Sequence, residues 1–300
     1  MANAPALDFN AFVTRKKAER AGGAMENEHD YSYILDRQTR ATFESAKPIE
    51  LAVASAVRVF KERERGRLLG NAVKVSNRQF SRINTISDEC SKTLGIVPPQ
   101  VYIVNSPHLN AGTFGTDEES FIVIHSALVD QYTDEELRFV IGHECGHIHN
   151  SHVVYLTTLH FLRLVAEAYL GLVVMPAILP LNAWSRRAEI TCDRAGMLCS
   201  KDPHVAARAL TKLVVGSKKL YEEFNLDAFL EQYEEGKESI GRYMEALASH
   251  PFLPKRVLAM RVFAESELYK KHAAGSDLPH PGLTMSEVDE RVKGLLKGDA

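Results

Sequence analysis

The chain has 300 residues, 45% of them apolar and 25% charged, with a formal charge of −3. That balance suits a folded chain able to bury a sizeable core and excludes an overall electrostatic drive toward nucleic acid or anionic membrane. The four cysteines, Cys90, Cys145, Cys192 and Cys199, show neither C-x-x-C spacing nor the density of a disulfide scaffold, so reduced, buried thiols are expected.

Residues 1–47 read as a mobile N-terminal extension, with Gly22 and Gly23 set among charges. No charged-then-apolar leader precedes Arg15, Lys16 and Lys17, so no secretory signal is present and a cytoplasmic location is expected. From Pro48 to Leu69 the pattern is helical. Leu51, Val53, Ala54, Val57 and Phe60 form an apolar stripe expected to pack on the core. A short strand over Ala72–Ser76, a helix from Asn77 to Leu94 closed by Gly95, and strands at Gln100–Val104 and Phe121–His125 follow, giving a small sheet. Between these strands, Asn110, Ala111, Gly112, Thr113 and Phe114 have two readings: an ordinary hairpin edge, or an edge that accepts an extended peptide as one more strand.

Thr133-Asp134-Glu135-Glu136 has the form of a capping box and starts a helix carrying His143-Glu144-x-x-His147. Residues four apart share a helix face, so both imidazoles can address one metal ion, with Glu144 beside it as a base for an attacking water. His149 and His152, two and five residues beyond His147, do not repeat the three-or-four spacing that would hold them on the metal face and so read as surface or core histidines; the same helix is expected to run to about Gly171. A third histidine six residues after the second is excluded, because Val153 stands there. The better candidates lie downstream at Glu189 and Asp193, four residues apart, so that one carboxylate can bind the metal while the other accepts the free ring N–H of a ligand histidine. Cys145 and Cys192 lie within these motifs, but two imidazoles and a carboxylate already fill the protein's share of a catalytic zinc site.

Between the motifs, residues 168–185 carry no charge and contain Pro176 and Pro180. A buried helical turn joining the ligand helices is expected, with peripheral membrane contact as the alternative. Asp202-Pro203 begins a helix to Val215, and residues 218–247 read as amphipathic helices forming a lid or flank. His250, stiffened by Pro251, and Arg256 come next. Beyond Pro279 and Pro281 a short helix on a tether is expected.

Gly142-His143-Glu144-x-x-His147, Ala188-Glu189-x-x-x-Asp193-Arg194-Ala195-Gly196, and His250-Pro251 with Arg256 resemble the successive motifs of the HtpX-like and CAAX-prenyl-endopeptidase family of zinc metallopeptidases. The likeness covers roughly residues 70 to 260 and includes Asn110 to Gly115. It implies a mainly helical α+β, zincin-like (gluzincin) fold, with a metallopeptidase domain over 48–263 and a tail helix over 264–300. It also implies one zinc ion per chain held by His143, His147 and Glu189, a catalytic Glu144, and a polypeptide substrate. His250 would donate to the transition-state oxyanion, and Arg256 would brace its segment by a salt bridge. A zinc-stabilised module that binds extended peptides without cutting them is the alternative. Iron(II) suits the same ligands, although the adjacent glutamate favours zinc hydrolysis.

Overall fold

The computed structural model describes residues 30–43, 66, 70–116, 119–166, 171–236, 252–275 and 280–296. The helix expected over 48–69 falls, apart from Gly66, outside them, as do His250 and Pro251. Among the described residues the chain is mainly helical with one small mixed sheet.

The sheet has the order β1-β2-β4-β3, formed by β1 (Ala72–Lys74), β2 (Gln100–Val104), β3 (Ala111–Gly115) and β4 (Ser120–His125). β2 and β4 run parallel, while β1 and β3 pair antiparallel with β2 and β4 and form the edges. Ile122 and Ile124 turn inward from β4 and are fully buried. The helix after β1 begins at Ser81, later than Asn77, because Ser76 and Gln79 bridge in a tight turn and Phe80 takes a left-handed φ of 58°. That helix, α2 (Ser81–Leu94), closes at Gly95 with φ 68°, as glycine at such a position permits.

After the short α3 (Ser126–Gln131), α4 (Asp134–His149) is the central element. Its N-terminus has the capping box: the Glu136 amide donates to the Thr133 hydroxyl at 3.3 Å, and the Thr133 amide donates to the Glu136 carboxylate at 2.9 Å. From Phe139 to His147 every residue is buried, because α4 lies between the sheet, α2, α6 (Gly171–Ser200) and α7 (Pro203–Val215). α4 and α6 approach closely through small residues. A Cβ on Gly146 would lie 2.7 Å from the Ala195 Cβ, and one on Gly196 would lie 2.7 Å from the Phe139 carbonyl oxygen.

Four expectations need correction. First, α4 does not run on to Gly171. It ends at His149 in a Schellman turn, with Ser151 left-handed at φ 54°, the Ser151 amide donating to the Ile148 carbonyl and the His152 amide to the His147 carbonyl. A new helix, α5 (Val153–Val165), then starts. Second, Pro176 and Pro180 do not break the chain into a turn but lie within the first three turns of the 30-residue α6. Pro176 is exposed, so water can serve the carbonyl it leaves without an amide donor. Leu179 on the same stretch is also exposed, so the stretch is not wholly buried, and no described helix is long and apolar enough to cross a membrane.

Third, the described part of the expected N-terminal extension, residues 30–43, does not stay off the core; residues 1–29 and 44–47 lie outside the described residues. Tyr31, Tyr33, Asp36 and Phe43 are buried, and α1 (Ile34–Phe43) packs on α6. The segment is retained by buried polar contacts. The Ser32 hydroxyl donates to Asn150 at 2.7 Å, the Asn150 amide to the Tyr31 hydroxyl at 2.9 Å, and Arg40 to the Asn150 carbonyl at 2.6 Å. Fourth, the C-terminal helix is not on a tether. Val288 and Val292 of the last helix, Met285–Leu295, are fully buried in the main core, beside the helix Leu253–Ala264. In the expected lid region, Lys218–Tyr221 and Leu226–Gly236 are helical, and residues 237–250 lie outside the described part.

Candidate metal centre

Two helices build the site. α4 presents His143 and His147 one turn apart, with ring centroids 5.0 Å from each other, and α6 brings Glu189 across from them. The two oxygens of Glu189 divide between the rings. Oε2 lies 3.6 Å from the His143 Nε2, and Oε1 lies 3.6 Å from the His147 Nε2. Ligand atoms about 2.0–2.1 Å from a tetrahedral zinc ion stand roughly 3.4 Å apart, so these three residues fit such an ion, and their ligand atoms lie within 4.8 Å of one another. All three side chains are buried.

Asp193, one turn beyond Glu189, places Oδ1 3.0 Å from the His143 Nδ1. This fixes the ring with Nε2 turned toward Glu189. Arg256 does more than brace its own segment. Its Nε and Nη2 donate to both oxygens of Asp193 at 2.8 and 2.6 Å, while Nη1 reaches the Glu189 Oε2 at 2.9 Å. Burial works against charge on Arg256, but Asp193 and Glu189 outweigh it and hold the guanidinium's pKa above its ordinary value. Burial likewise opposes charge on His143, and the same two carboxylates outweigh it and raise its pKa from the ordinary value when no metal is bound.

Glu144 follows His143 on α4 and is buried, and its Oε2 accepts a hydrogen bond from the Thr113 hydroxyl at 2.6 Å. Thr113 therefore faces the motif helix from edge strand β3. The His125 amide donates to the Asn110 carbonyl at 3.0 Å, which sets the alternation of the ladder: Gly112 and Phe114 turn their backbone groups to β4, while Ala111, Thr113 and Gly115 turn theirs outward. At Gly115 the outward groups meet Thr157 of α5, whose hydroxyl accepts from the amide at 3.3 Å and donates to the carbonyl at 3.2 Å.

Sequence reasoning missed His152 and Asp36. The Schellman turn brings His152 back against His147, with the two Nδ1 atoms 3.2 Å apart, and Cys192 Sγ also lies 3.2 Å from the His147 Nδ1. His152 is a core histidine, as its offset suggested, but spacing along one unbroken helix could not foresee its contact with His147. Asn150-Ser151, a pair of turn-favouring residues, was the available signal. His147, His152 and Cys192 form a second buried group with ligand atoms within metal-binding distance of one another. Burial, and then the charges of Glu189, Asp36, Glu144 and Asp193, push the Cys192 thiol's pKa well up, which disfavours the thiolate that metal ligation needs. His149 points elsewhere, its Nδ1 lying 2.7 Å from the Tyr31 hydroxyl.

Comparison with known proteins fits this arrangement. The chain is 34% identical over 233 residues to the plastoglobule-localized metallopeptidase 48 of Arabidopsis thaliana, covering 76% of this chain and 61% of that protein. It is 28% identical over 180 residues to the protease HtpX of Legionella pneumophila, covering 50% and 64%, and 25% identical over 178 residues to an HtpX homologue of Caldanaerobacter subterraneus, covering 47% and 60%. The chain thus spans less than two thirds of the length of these relatives. The model of peptidase family M48 matches residues 77–263, from just before α2 through the helices that carry His143, His147 and Glu189 to the helix that carries Arg256, and the chain belongs to that family.

Proposed function

We propose that the chain is a zinc-dependent endopeptidase of the gluzincin type that cleaves extended or unfolded polypeptide, with Glu144 as general base. The observation that carries this reading is a buried carboxylate directly following a metal-fitting histidine and hydrogen-bonded to the edge strand of the sheet. A site that served only to stabilise the fold would have no use for an acid there.

His143, His147 and Glu189 would hold the ion. When bound, it supplies Lewis acidity toward a carbonyl and acidity to a water molecule at neutral pH. Glu144 takes the proton of the attacking water and passes it to the leaving amine, and the Thr113 hydroxyl holds the carboxylate that does so. Asp193 and Arg256 keep His143 and Glu189 in place. The outward backbone groups of Ala111 and Thr113 support pairing with an extended substrate strand, and Thr157 at Gly115 would end that pairing. His250, expected as an oxyanion donor, lies outside the described residues, and its role rests on the family resemblance alone.

The test is metal analysis coupled to casein digestion for the wild type and Glu144→Gln. One zinc ion per chain in both, with hydrolysis lost only in the variant, is the expected result. Normal turnover by the variant refutes Glu144 as base. Equal capture of unfolded peptide by both proteins with no fragments from either favours the non-cleaving binder.

A further inference from the structure

We propose that His152, held by Asp36 of the N-terminal helix, is the positioning residue for metal ligand His147. The proposal rests on the reading of His143, His147 and Glu189 as the metal centre and extends it to residues far from the motif in sequence.

The argument starts from the His147 ring. Its Nε2 faces Glu189, so in the neutral ring that would ligate a metal there the hydrogen sits on Nδ1 and needs an acceptor. His143 meets that need with the carboxylate of Asp193. The His152 Nδ1 lies 3.2 Å from the His147 Nδ1. An imidazole nitrogen accepts only when the ring's other nitrogen carries the hydrogen; the His152 Nε2 lies 3.1 Å from Asp36 Oδ2, outside hydrogen-bond geometry but close enough for the carboxylate's charge to favour that tautomer. Asp36 is itself fixed, with Oδ1 accepting from the Trp184 indole at 2.8 Å and Oδ2 from the Thr191 hydroxyl at 2.7 Å.

The backbone supports the same geometry. The left-handed Ser151 turn and the bond from the His152 amide to the His147 carbonyl at 2.9 Å hold the two residues together. The His152 ring stands edge-on to Trp184, centroids 5.3 Å apart, and is fully buried. Both ligand imidazoles are thus oriented by an aspartate, directly at His143 and through an intervening ring at His147. The Tyr31–Phe43 segment delivers the second of these aspartates, which makes that segment part of the metal centre.

The experiment uses the full chain. Zinc affinity is measured by chelator competition, and the cobalt-substituted protein is followed by its visible absorption, for wild type, His152→Phe, Asp36→Asn and Cys192→Ala. His152→Phe is expected to lose about 10- to 100-fold in affinity with an altered cobalt spectrum. Asp36→Asn should lose less, since Asn Oδ1 still presents an oxygen to His152, and Cys192→Ala should stay within about twofold of wild type. Nitrogen-15 histidine NMR of the zinc-loaded wild type supplies a measurement independent of any variant's folding: the expected His152 tautomer carries its hydrogen on Nε2. The opposite tautomer overturns the proposal, as does a larger affinity loss in Cys192→Ala than in His152→Phe. Two ions per wild-type chain, falling to one in His152→Phe, would make His152 a ligand and also overturn it. A wild type that binds no ion sinks the metal centre itself, whereas normal binding with an unaffected His152→Phe sinks only the positioning role.

Discussion

The Thr113 hydroxyl donates to Glu144 Oε2 at 2.6 Å, which ties the edge strand of the sheet to the acid of the metal motif. A hydrogen bond to a charged group contributes roughly 1.5–3 kcal/mol, equivalent to roughly 10- to 100-fold in rate if it is fully used in the transition state. Thr113→Val keeps the shape and removes the donor, so its kcat should fall within that range at unchanged zinc content, while Thr113→Ser should stay close to wild type. Steady-state peptide hydrolysis with metal analysis of the three proteins checks this. Equal kcat for Val and Thr would mean that Glu144 needs no such support.

Arg256 neutralises two buried carboxylates at once, Asp193 and Glu189. Arg256→Met leaves both without their cation, and breaking a buried pair in this way typically costs about 3–5 kcal/mol. Bound metal restores positive charge beside Glu189. The loss should therefore be larger in the metal-free protein than in the loaded one, as read by denaturant unfolding with and without chelator. A loss independent of metal would show that Arg256 serves the helix packing alone.

Much of this site was legible in the sequence because its parts are local and periodic. The i, i+4 spacing of His143 with His147 and of Glu189 with Asp193, the capping box at Thr133, and the Asp202-Pro203 start each express a single helix turn. What escaped depends on tertiary contacts. A left-handed serine at position 151 reverses the chain where the apolar pattern continues, and Asp36 meets His152 across more than a hundred residues. The N-terminal segment reads as polar and charged, yet its polar atoms are satisfied by Asn150, Thr191 and Asp289 instead of water. Pro176 and Pro180 signalled a break that a long, otherwise well-packed helix absorbed near its start.

Asp36 makes stability depend on pH. Burial alone would raise its carboxyl pKa, but the neighbouring His152 ring, the Thr191 hydroxyl and Arg40 outweigh burial and lower it. A carboxylate whose folded pKa is depressed contributes stability that is fully present above its unfolded value of about 3.9 and is lost as pH falls through the folded value. The stability gap between wild type and Asp36→Asn should therefore be constant near neutrality and shrink on acidification below about pH 4. Urea unfolding of both proteins across that interval measures it. A gap that widens toward acid would mean that Asp36 is protonated in the native state.

The close crossing of the two ligand helices gives the last prediction. A Cβ on Gly146 would stand 2.7 Å from the Ala195 Cβ and 3.2 Å from the Cys192 Cα, and one on Gly196 would stand 2.7 Å from the Phe139 carbonyl oxygen. Replacing either glycine by alanine gains about 1 kcal/mol of helix propensity, but overpacking of this kind costs about 1–3 kcal/mol and must move backbone as well as side chain. The helices then separate, and Glu189 leaves the imidazoles it has to face. Gly146→Ala and Gly196→Ala should therefore lose stability and zinc affinity together. Gly294→Ala, in the last helix with nothing within 4 Å of the added carbon, should gain up to about 1 kcal/mol and bind zinc normally. Thermal unfolding and chelator competition on the three variants decide the matter. An alanine at position 146 that leaves zinc affinity intact would show that the ligand geometry does not depend on how closely these helices cross.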